Sequence, residues 1–396
     1  MRIIAIMIFI SAILNFSAAG KQKNNPLISD QKLFGGFIDG TKLITAKFTQ
    51  PLIKIPETSE IQIKDNKENI SLIKNIEKGK LQDEVKIILK SDINIKREYF
   101  ISYNGITKRL IMNKIYSEKK YFDLNCELGA ISSKKQTTFR LFAPRAERVK
   151  INIYDNPVRQ DGEISELYNL KQMRGGVWEL KLKKDLHGKY YTYQIVSVGD
   201  DCHPDLEVID PYAKLVTRGD GINVLRKNDK QKFDQTLGRA MIIDFSRTNR
   251  VASLALKDKS IGSSIIWEAH VRDISRGKNS GVPDEIKGTY LGAAKTYSKY
   301  KNYSTGIDHL VELGVNTIHL LPVNEYVTGN ETDFKHRFIG YNDQGDWPNK
   351  RYYDWGYGPV YYFSPEGYYS TNPDNLSRIN EMKDMISEFH KKGIKV

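Results

Sequence analysis

The sequence predicts a multidomain protein in which two all-β modules precede an α/β region. Three observations support this fold class: one series of short strands with period-two alternation, a second such series, and a change to helical spacing beyond residue 262. A length of 396 residues with 40% hydrophobic residues is enough for two to four ordinary globular domains.

Residues 1–19 have the pattern of a signal peptide. Arg2 supplies the positive start, Ile3–Leu14 a short apolar core, and Ser17-Ala18-Ala19 the small residues that precede cleavage. The apolar run is shorter than the ~20 residues of a spanning helix. We therefore expect an exported protein, periplasmic or secreted, with no membrane span after cleavage; an uncleaved membrane anchor is the alternative.

Residues 20–122 are expected to form an amino-terminal β-sandwich module. Apolar residues alternate along its strands, at Val85, Ile87, Leu89, Tyr99, Ile101, Tyr103, Leu110 and Met112. Asn104-Gly105 lies between two of these runs, where a tight hairpin turn is expected. Short alternating strands separated by turn residues indicate an antiparallel, immunoglobulin-like sandwich.

Residues 123–250 repeat this pattern and predict a second β-sandwich. The alternating positions include Phe139, Leu141, Val149, Ile151, Ile153, Trp178, Leu180, Leu182, Tyr191, Tyr193 and Ile195. The polar segment 219–235 is expected to be a loop. Trp178 and Tyr190 could form an exposed aromatic platform, but alternation favours core packing for Trp178.

Residues 262–396 predict alternating strands and helices. Strands are expected at Ser264–Glu268 and Val315–Val323, with a third beginning at Ile394. Two helices separate them, and Thr305 and Asp308 have the spacing of an acidic capping box before the first. This order is typical of a parallel α/β barrel or a doubly wound sheet.

Charge and cysteine content do not indicate a further function. The net charge of +13 comes from lysines scattered along the whole chain, so no nucleic-acid partner is predicted. Cys126 and Cys202 are the only thiols; export would permit a disulfide, and two unpaired thiols are equally compatible with the sequence. No Cys/His cluster has zinc spacing, and no metal or cofactor is predicted.

Aromatic residues are concentrated in residues 352–369, after the second α/β strand. In a barrel, such loops build the active face at the carboxyl ends of the strands. Aromatic faces match the C–H patches of sugars, while polar neighbours bind the hydroxyl groups. Most of these rings are nevertheless expected to pack the loop itself.

This aromatic segment resembles a signature of type I pullulanases, in glycoside hydrolase family 13. That signature is Tyr-Asn-Trp-Gly-Tyr-Asp-Pro, and residues 353–359 read Tyr-Asp-Trp-Gly-Tyr-Gly-Pro. Further segments of the α/β region resemble the same family, at 267–273, 287–292, 305–323 and 365–371. Four segments of the second β module resemble carbohydrate-binding module family 48, at 128–130, 138–144, 188–193 and 210–214.

The resemblance implies a pullulanase-like hydrolase acting on α-glucans such as starch, glycogen or pullulan. It implies that residues 262–396 are the first two and a half units of a (β/α)8 barrel, so the expected fold is two all-β sandwich modules followed by an incomplete barrel. Asp354 and Gly358 depart from the signature, which leaves the linkage open among pullulanases, branching enzymes and trehalohydrolases.

The resemblance also implies site residues. Tyr357 matches the tyrosine that stacks under the sugar at the cleavage point, and Trp355 and Tyr353 shape the same substrate-binding loop. The catalytic nucleophile and acid/base of the family follow later strands, beyond Val396, so this chain is expected to be inactive alone. His270 is expected to be a structural barrel residue, and structural roles are expected for Asp273, Asp308, Glu366 and Asp384.

Two alternatives to this enzyme remain open. The first is a non-catalytic exported α-glucan-binding protein in which only the β modules function, and the second is a gene remnant. Coding sequence for the missing strands after codon 396 would favour the enzyme, and binding to insoluble starch would separate the other two.

Overall fold

A computed structural model describes residues 31–122, 126–158, 160, 162–197, 206–217, 238–254, 261–326 and 355–396. The predictions for the signal peptide, the loop 219–235, Tyr353 and Cys202 fall outside these residues. Among the helices of the described residues, none combines the length and the apolar character needed to cross a bilayer. The chain divides into two compact units.

The first unit contains most of a seven-stranded sheet. It comprises the described residues up to Ile38 together with Lys42–Asp92 and Tyr99–Ile111. The strands are β1 (Leu33–Gly40), β2 (Leu43–Phe48), β3 (Ile61–Asp65), β4 (Ile73–Lys78), β5 (Glu84–Leu89), β6 (Tyr99–Tyr103) and β7 (Ile106–Met112). Their order in the sheet is β3-β6-β7-β1-β2-β5-β4.

The predicted alternation accounts for these strands. In β5 and β6 the alternating apolar side chains are buried and form the core of this unit. Asn104 and Gly105 both have positive φ, of 45° and 77°, and join β6 to β7. Two central residues with positive φ are the requirement of a type I′ hairpin turn, which confirms the predicted turn.

The second unit begins with a β-sandwich. Its strands are β8 (Gly129–Ser132), β9 (Thr137–Phe142), β10 (Ala146–Tyr154), β11 (Glu166–Asn169), β12 (Lys171–Gln172), β13 (Val177–Leu182), β14 (Tyr190–Ser197), β15 (Glu207–Val208) and β16 (Ala240–Met241). One sheet has the order β11-β10-β14-β15, with β16 also paired to β14, and the other has the order β12-β13-β9-β8. Buried side chains of both sheets, among them Phe139, Ile151, Trp178 and Tyr193, form one core.

An α/β segment follows in the same unit. Its strands are β17 (Ile266–Ala269), β18 (Lys299–Tyr300), β19 (Tyr303–Ser304), β20 (Thr317–Leu320), β21 (Asn324–Tyr326) and β22 (Pro359–Pro365). Its helices are α1 (Tyr290–Ala293), α2 (Gly306–Glu312) and α3 (Ser377–Lys391). Strands β17 and β20 pair in parallel, and a parallel bridge joins Thr317 to Lys395. The predicted strand–helix alternation is therefore present, while the described residues do not confirm a barrel.

The predicted capping box of the first helix is wrong. Thr305 precedes α2, but its hydroxyl donates to the Ser280 carbonyl and accepts no bond from the helix. Asp308 instead accepts a bond from the backbone N–H of Tyr297 and pairs with Lys392. Contacts with segments distant in sequence therefore replace the local cap.

The β-sandwich and the α/β segment share a hydrophobic cluster. Tyr190, Leu215 and Ile243 of the sandwich are buried together with Ile379 of α3. The hydroxyl of Tyr190 donates to the carbonyl of Asp374 at 2.8 Å, just before that helix. The sandwich is consequently part of the scaffold that holds the α/β segment.

Candidate functional site

The described part of the aromatic segment is held next to the end of β20. Strand β22 pairs with β21 in antiparallel register, with Glu325 opposite Tyr361 and Tyr326 opposite Pro359. Gly356 has a φ of 79°, and a Cβ there would lie 2.4 Å from the carbonyl oxygen of Pro322. Only glycine permits this close approach, so the loop tip is fixed over the residues that follow β20.

Two of the predicted site residues lie exposed on this loop. The exposed fraction is 52% for Trp355 and 53% for Tyr357. Tyr362 of β22 is also exposed. The structure thus provides aromatic faces to solvent near the end of a parallel strand, as a sugar-binding surface requires.

Other rings of the segment are structural, as predicted. Tyr368 and Tyr369 are buried in the core of the α/β segment, and Tyr361 packs against the core of the β-sandwich. The Phe363 ring stacks on Tyr212 of the sandwich, with ring centroids 5.2 Å apart and an interplanar angle of 14°. These contacts orient the loop from both sides.

A buried carboxylate fixes the base of the loop. Glu366 is fully buried, and its two carboxylate oxygens accept bonds from the backbone N–H groups of Tyr368 at 2.8 Å and Tyr326 at 3.0 Å. The Tyr290 hydroxyl donates to the Glu366 carbonyl at 3.1 Å. Glu366 therefore connects β21, β22 and α1, which confirms its predicted structural role.

A buried ion pair lies beside it and was not predicted from the sequence. Arg378 of α3 pairs with Glu325 of β21, and its Nη1 also donates to the carbonyl of Pro365 at 3.1 Å. Both side chains are buried. The sequence feature that could have indicated this pair is the position of Arg378, which lies next to Ile379 on the apolar face of the second predicted helix.

His270 is buried and hydrogen-bonded within the α/β segment, as expected for a structural residue. Its Nδ1 accepts a bond from the backbone N–H of Arg272 at 3.1 Å, and its Nε2 lies 3.0 Å from the Tyr369 hydroxyl. Burial lowers the pKa of His270 to about 4. The imidazole therefore stays uncharged at neutral pH and extends the polar core beneath the loop.

Two further carboxylates of the α/β segment, Asp273 and Asp384, also have structural partners. Asp273 pairs with Arg276 at 3.0 Å, and Asp384 accepts two bonds from the side chain of Asn249. Across the described ranges, no group of histidine, cysteine and acidic residues has the arrangement of a metal site. The four carboxylates singled out from the sequence, Asp273, Asp308, Glu366 and Asp384, therefore all have partners within the fold.

Comparison with known proteins gives this surface a context. Residues 127–213 match the family model described as carbohydrate-binding module 48 (isoamylase N-terminal domain). The chain is 28% identical over 289 residues to a pullulanase of Bacillus subtilis, covering 72% of this chain and 34% of that protein. An isoamylase of a Flavobacterium species is 27% identical over 317 residues, covering 68% and 37%.

Solved structures agree with these relatives. A Group B Streptococcus pullulanase in complex with maltotetraose superposes with a TM-score of 0.65 at 27% identity, covering 92% of this chain and 44% of that one. A pullulanase from Bacillus acidopullulyticus shares the fold, with a TM-score of 0.69 at 21% identity and coverage of 91% and 54%. These similarities support a pullulanase-like amino-terminal portion of a family 13 glycoside hydrolase.

The pullulanase-like chain spans only part of its relatives. It covers 34% of the length of the Bacillus subtilis pullulanase and 37% of the isoamylase. The match corresponds to an amino-terminal portion of the family architecture, including the module at 127–213.

In this pullulanase-like chain the module contributes core residues. Trp178 is buried, and its Nε1 donates to the Ala143 carbonyl at 3.0 Å. Tyr190 is buried against the segment before α3. Neither ring can form an exposed sugar platform, so the predicted core packing of Trp178 is confirmed.

Proposed function

We propose that this chain is the glucan-holding portion of an exported α-glucan debranching hydrolase. The observation that best supports this proposal is that Tyr357 is exposed to solvent. Gly356 and Glu366 hold its loop over the residues that follow β20. A ring at this position suits the flat face of a glucose unit. The pullulanase and isoamylase relatives, and the relative solved with maltotetraose, support an α-glucan as the ligand.

We propose that the α/β segment is the first part of a (β/α)8 barrel. Parallel strands normally have both faces covered, because crossover helices pack on the sheet. In β17, however, Ile266 is 60% exposed and Trp267 is 45% exposed. Further strands and helices of a barrel would cover these side chains, so their exposure supports this assignment.

The proposed chemistry is cleavage of α-1,6 branches with retention of configuration. Such hydrolysis uses a nucleophilic carboxylate and a carboxylic acid about 5–5.5 Å apart. In the family these groups follow the fourth and fifth barrel strands, and Asp273, Asp308, Glu366 and Asp384 of this chain have structural partners instead. Residues 1–396 are therefore proposed to hold the glucan without breaking its bonds.

Replacing Tyr357 with alanine is expected to weaken maltotetraose binding by about tenfold or more, as for an aromatic binding hot spot. The measurement is isothermal titration calorimetry of the full 396-residue chain. Tyr303→Ala is the matched control, because Tyr303 is 75% exposed but lies on the β18–β19 hairpin. Equal affinities of the Tyr357 variant and the parent chain would contradict the proposed site.

The polypeptide of residues 1–396 is expected to release no reducing ends from pullulan, amylopectin or glycogen. The physical reason is that both members of the catalytic carboxylate pair are required for bond cleavage. Reducing-sugar release would be followed over several hours at substrate saturation. Activity that co-purifies with the polypeptide through repeated chromatography would show that it carries its own catalytic pair.

A further inference from the structure

A cavity of about 300 Å³ lies in the second unit, and none of the aromatic-loop residues lines it. It is formed at the end of the sheet where β13 begins, beside the turn Arg174–Gly176. This volume is at the lower end of the range of small-molecule sites, which is ~300–1,000 Å³.

The charged side chains that line the cavity are all positive. Lys96, Lys120 and Arg174 line it, and its described lining contains no aspartate or glutamate. Like charges around a concave surface repel one another, and concave walls focus their field on the space between them. An anion placed there would be attracted by all three groups, and arginine and lysine are the residues that bind phosphate and carboxylate most strongly.

The remaining lining is suited to a sugar ring. Ile95 and Pro144 are buried and form apolar surface, while Met173 is half exposed at the edge. Tyr121 also lines the cavity, and the Nζ of Lys120 lies 4.8 Å from the centroid of the Tyr121 ring. An aromatic ring next to a cation fits a ligand that has both a C–H face and a negative charge.

The walls are held by hydrogen bonds. The Met173 N–H donates to the Val177 carbonyl at 2.7 Å, and the Ala143 N–H donates to the Gly176 carbonyl at 2.9 Å. From a third segment, the Ile95 carbonyl accepts a bond from Arg145 Nε at 3.0 Å. A site whose walls are already ordered loses little entropy when a ligand binds.

We propose that this cavity, the basic pocket, binds the anionic group of a charged sugar, either a phosphate monoester or a carboxylate carried on a glucose unit. The choice of a sugar rests on the proposed function, whereas the choice of an anion rests on the three cationic side chains alone. The basic pocket would let the protein hold modified glucans in addition to neutral chains.

The test is to titrate the full chain separately with glucose 6-phosphate, glucuronate, inorganic phosphate and glucose. Binding is measured by isothermal titration calorimetry and by NMR. We expect the two charged sugars to bind and glucose not to bind, with affinity falling as salt concentration rises. The variant Lys120→Gln/Arg174→Gln is expected to lose about tenfold or more in affinity for the charged sugars. The variant Lys120→Arg/Arg174→Lys should retain most of it.

Lys134→Gln/Lys135→Gln is the matched control. It removes the same charge from two exposed positions in the turn between β8 and β9. This turn precedes Thr137, which pairs with Leu182 at the end of β13, whereas Val177 at the start of β13 pairs with Phe142. The control therefore lies at the opposite end of the sheet from the cavity. If Lys134→Gln/Lys135→Gln loses as much affinity for the charged sugars as Lys120→Gln/Arg174→Gln, the loss is caused by the change in net charge. That result would overturn the proposed site. Absence of binding at millimolar concentration, or equally strong binding of inorganic phosphate, would overturn the charged-sugar assignment. Maltotetraose binding in the same samples reports separately on the proposed function.

Discussion

Replacing Arg378 with methionine is expected to lower the free energy of unfolding of the second unit by about 3–5 kcal/mol, the cost of leaving a buried charge unpaired. Arg378 is fully buried and pairs with the buried carboxylate of Glu325. Its Nε also donates to the Pro373 carbonyl at 2.9 Å, so the variant loses main-chain contacts as well. Urea unfolding followed by circular dichroism, with hydrogen exchange of the peptide Ser377–Lys391, measures the loss.

The double variant Arg378→Met/Glu325→Met tests whether the stability is lost because a charge is left unpaired. It removes both charges, so it should recover a large part of the stability lost in Arg378→Met. Lys391→Met on the same helix is the control, since Lys391 forms a solvent-exposed ion pair with Glu388 and its loss should cost less than about 1 kcal/mol. An Arg378→Met protein as stable as this control would show that the ion pair does not hold α3 to β21.

Asp210 is expected to make the β-sandwich less stable as the pH rises from about 4 to 6. This carboxyl is buried at the Asp210-Pro211-Tyr212 corner, where Tyr191 OH and Tyr212 N–H each donate to it at 2.8 Å. Burial raises the pKa of Asp210 from 3.8 to about 6, although the two hydrogen bonds and Lys214 oppose the shift. Between these values the folded protein binds more protons than the unfolded chain, so the stabilisation is complete below pH 4 and lost above pH 6.

The variant Asp210→Asn isolates this group. Its stability relative to the parent chain should improve by about 3 kcal/mol between pH 4 and pH 7, because asparagine does not titrate there. Unfolding by urea at closely spaced pH values gives the difference, and the other carboxylates cancel since both proteins contain them. A difference between the two proteins that stays constant between pH 4 and pH 7 would mean that folding does not raise the pKa of Asp210.

The β modules were largely predictable because their signal is local. Alternating side chains such as Val85 and Ile87, or Ile151 and Ile153, are buried where the period-two pattern places them. The turn at Asn104-Gly105 follows from residues that tolerate positive φ. The alternation of apolar residues and the preference of certain residues for turns both act within a few positions of the chain. Both can therefore be recognised in a single sequence.

The candidate site was predictable only in part. The sequence singled out Tyr357 and Trp355 by resemblance, and both are exposed on the loop. It did not indicate that Glu366 bonds to Tyr326 or that Arg378 pairs with Glu325, forty and fifty-three residues away. The wrong capping prediction at Asp308 has the same origin, since its partner Lys392 lies eighty-four residues later.

The sequence by itself determined the order of strands and helices and the aromatic composition of the loop, because these depend on periodicity and on near neighbours. Only the tertiary structure decided which of these rings face solvent and which carboxylates are held by partners. It also brought Lys96, Lys120 and Arg174 to one basic pocket from segments well separated in the chain. The physical reason is that burial and charge pairing depend on distances in space, which no local pattern specifies.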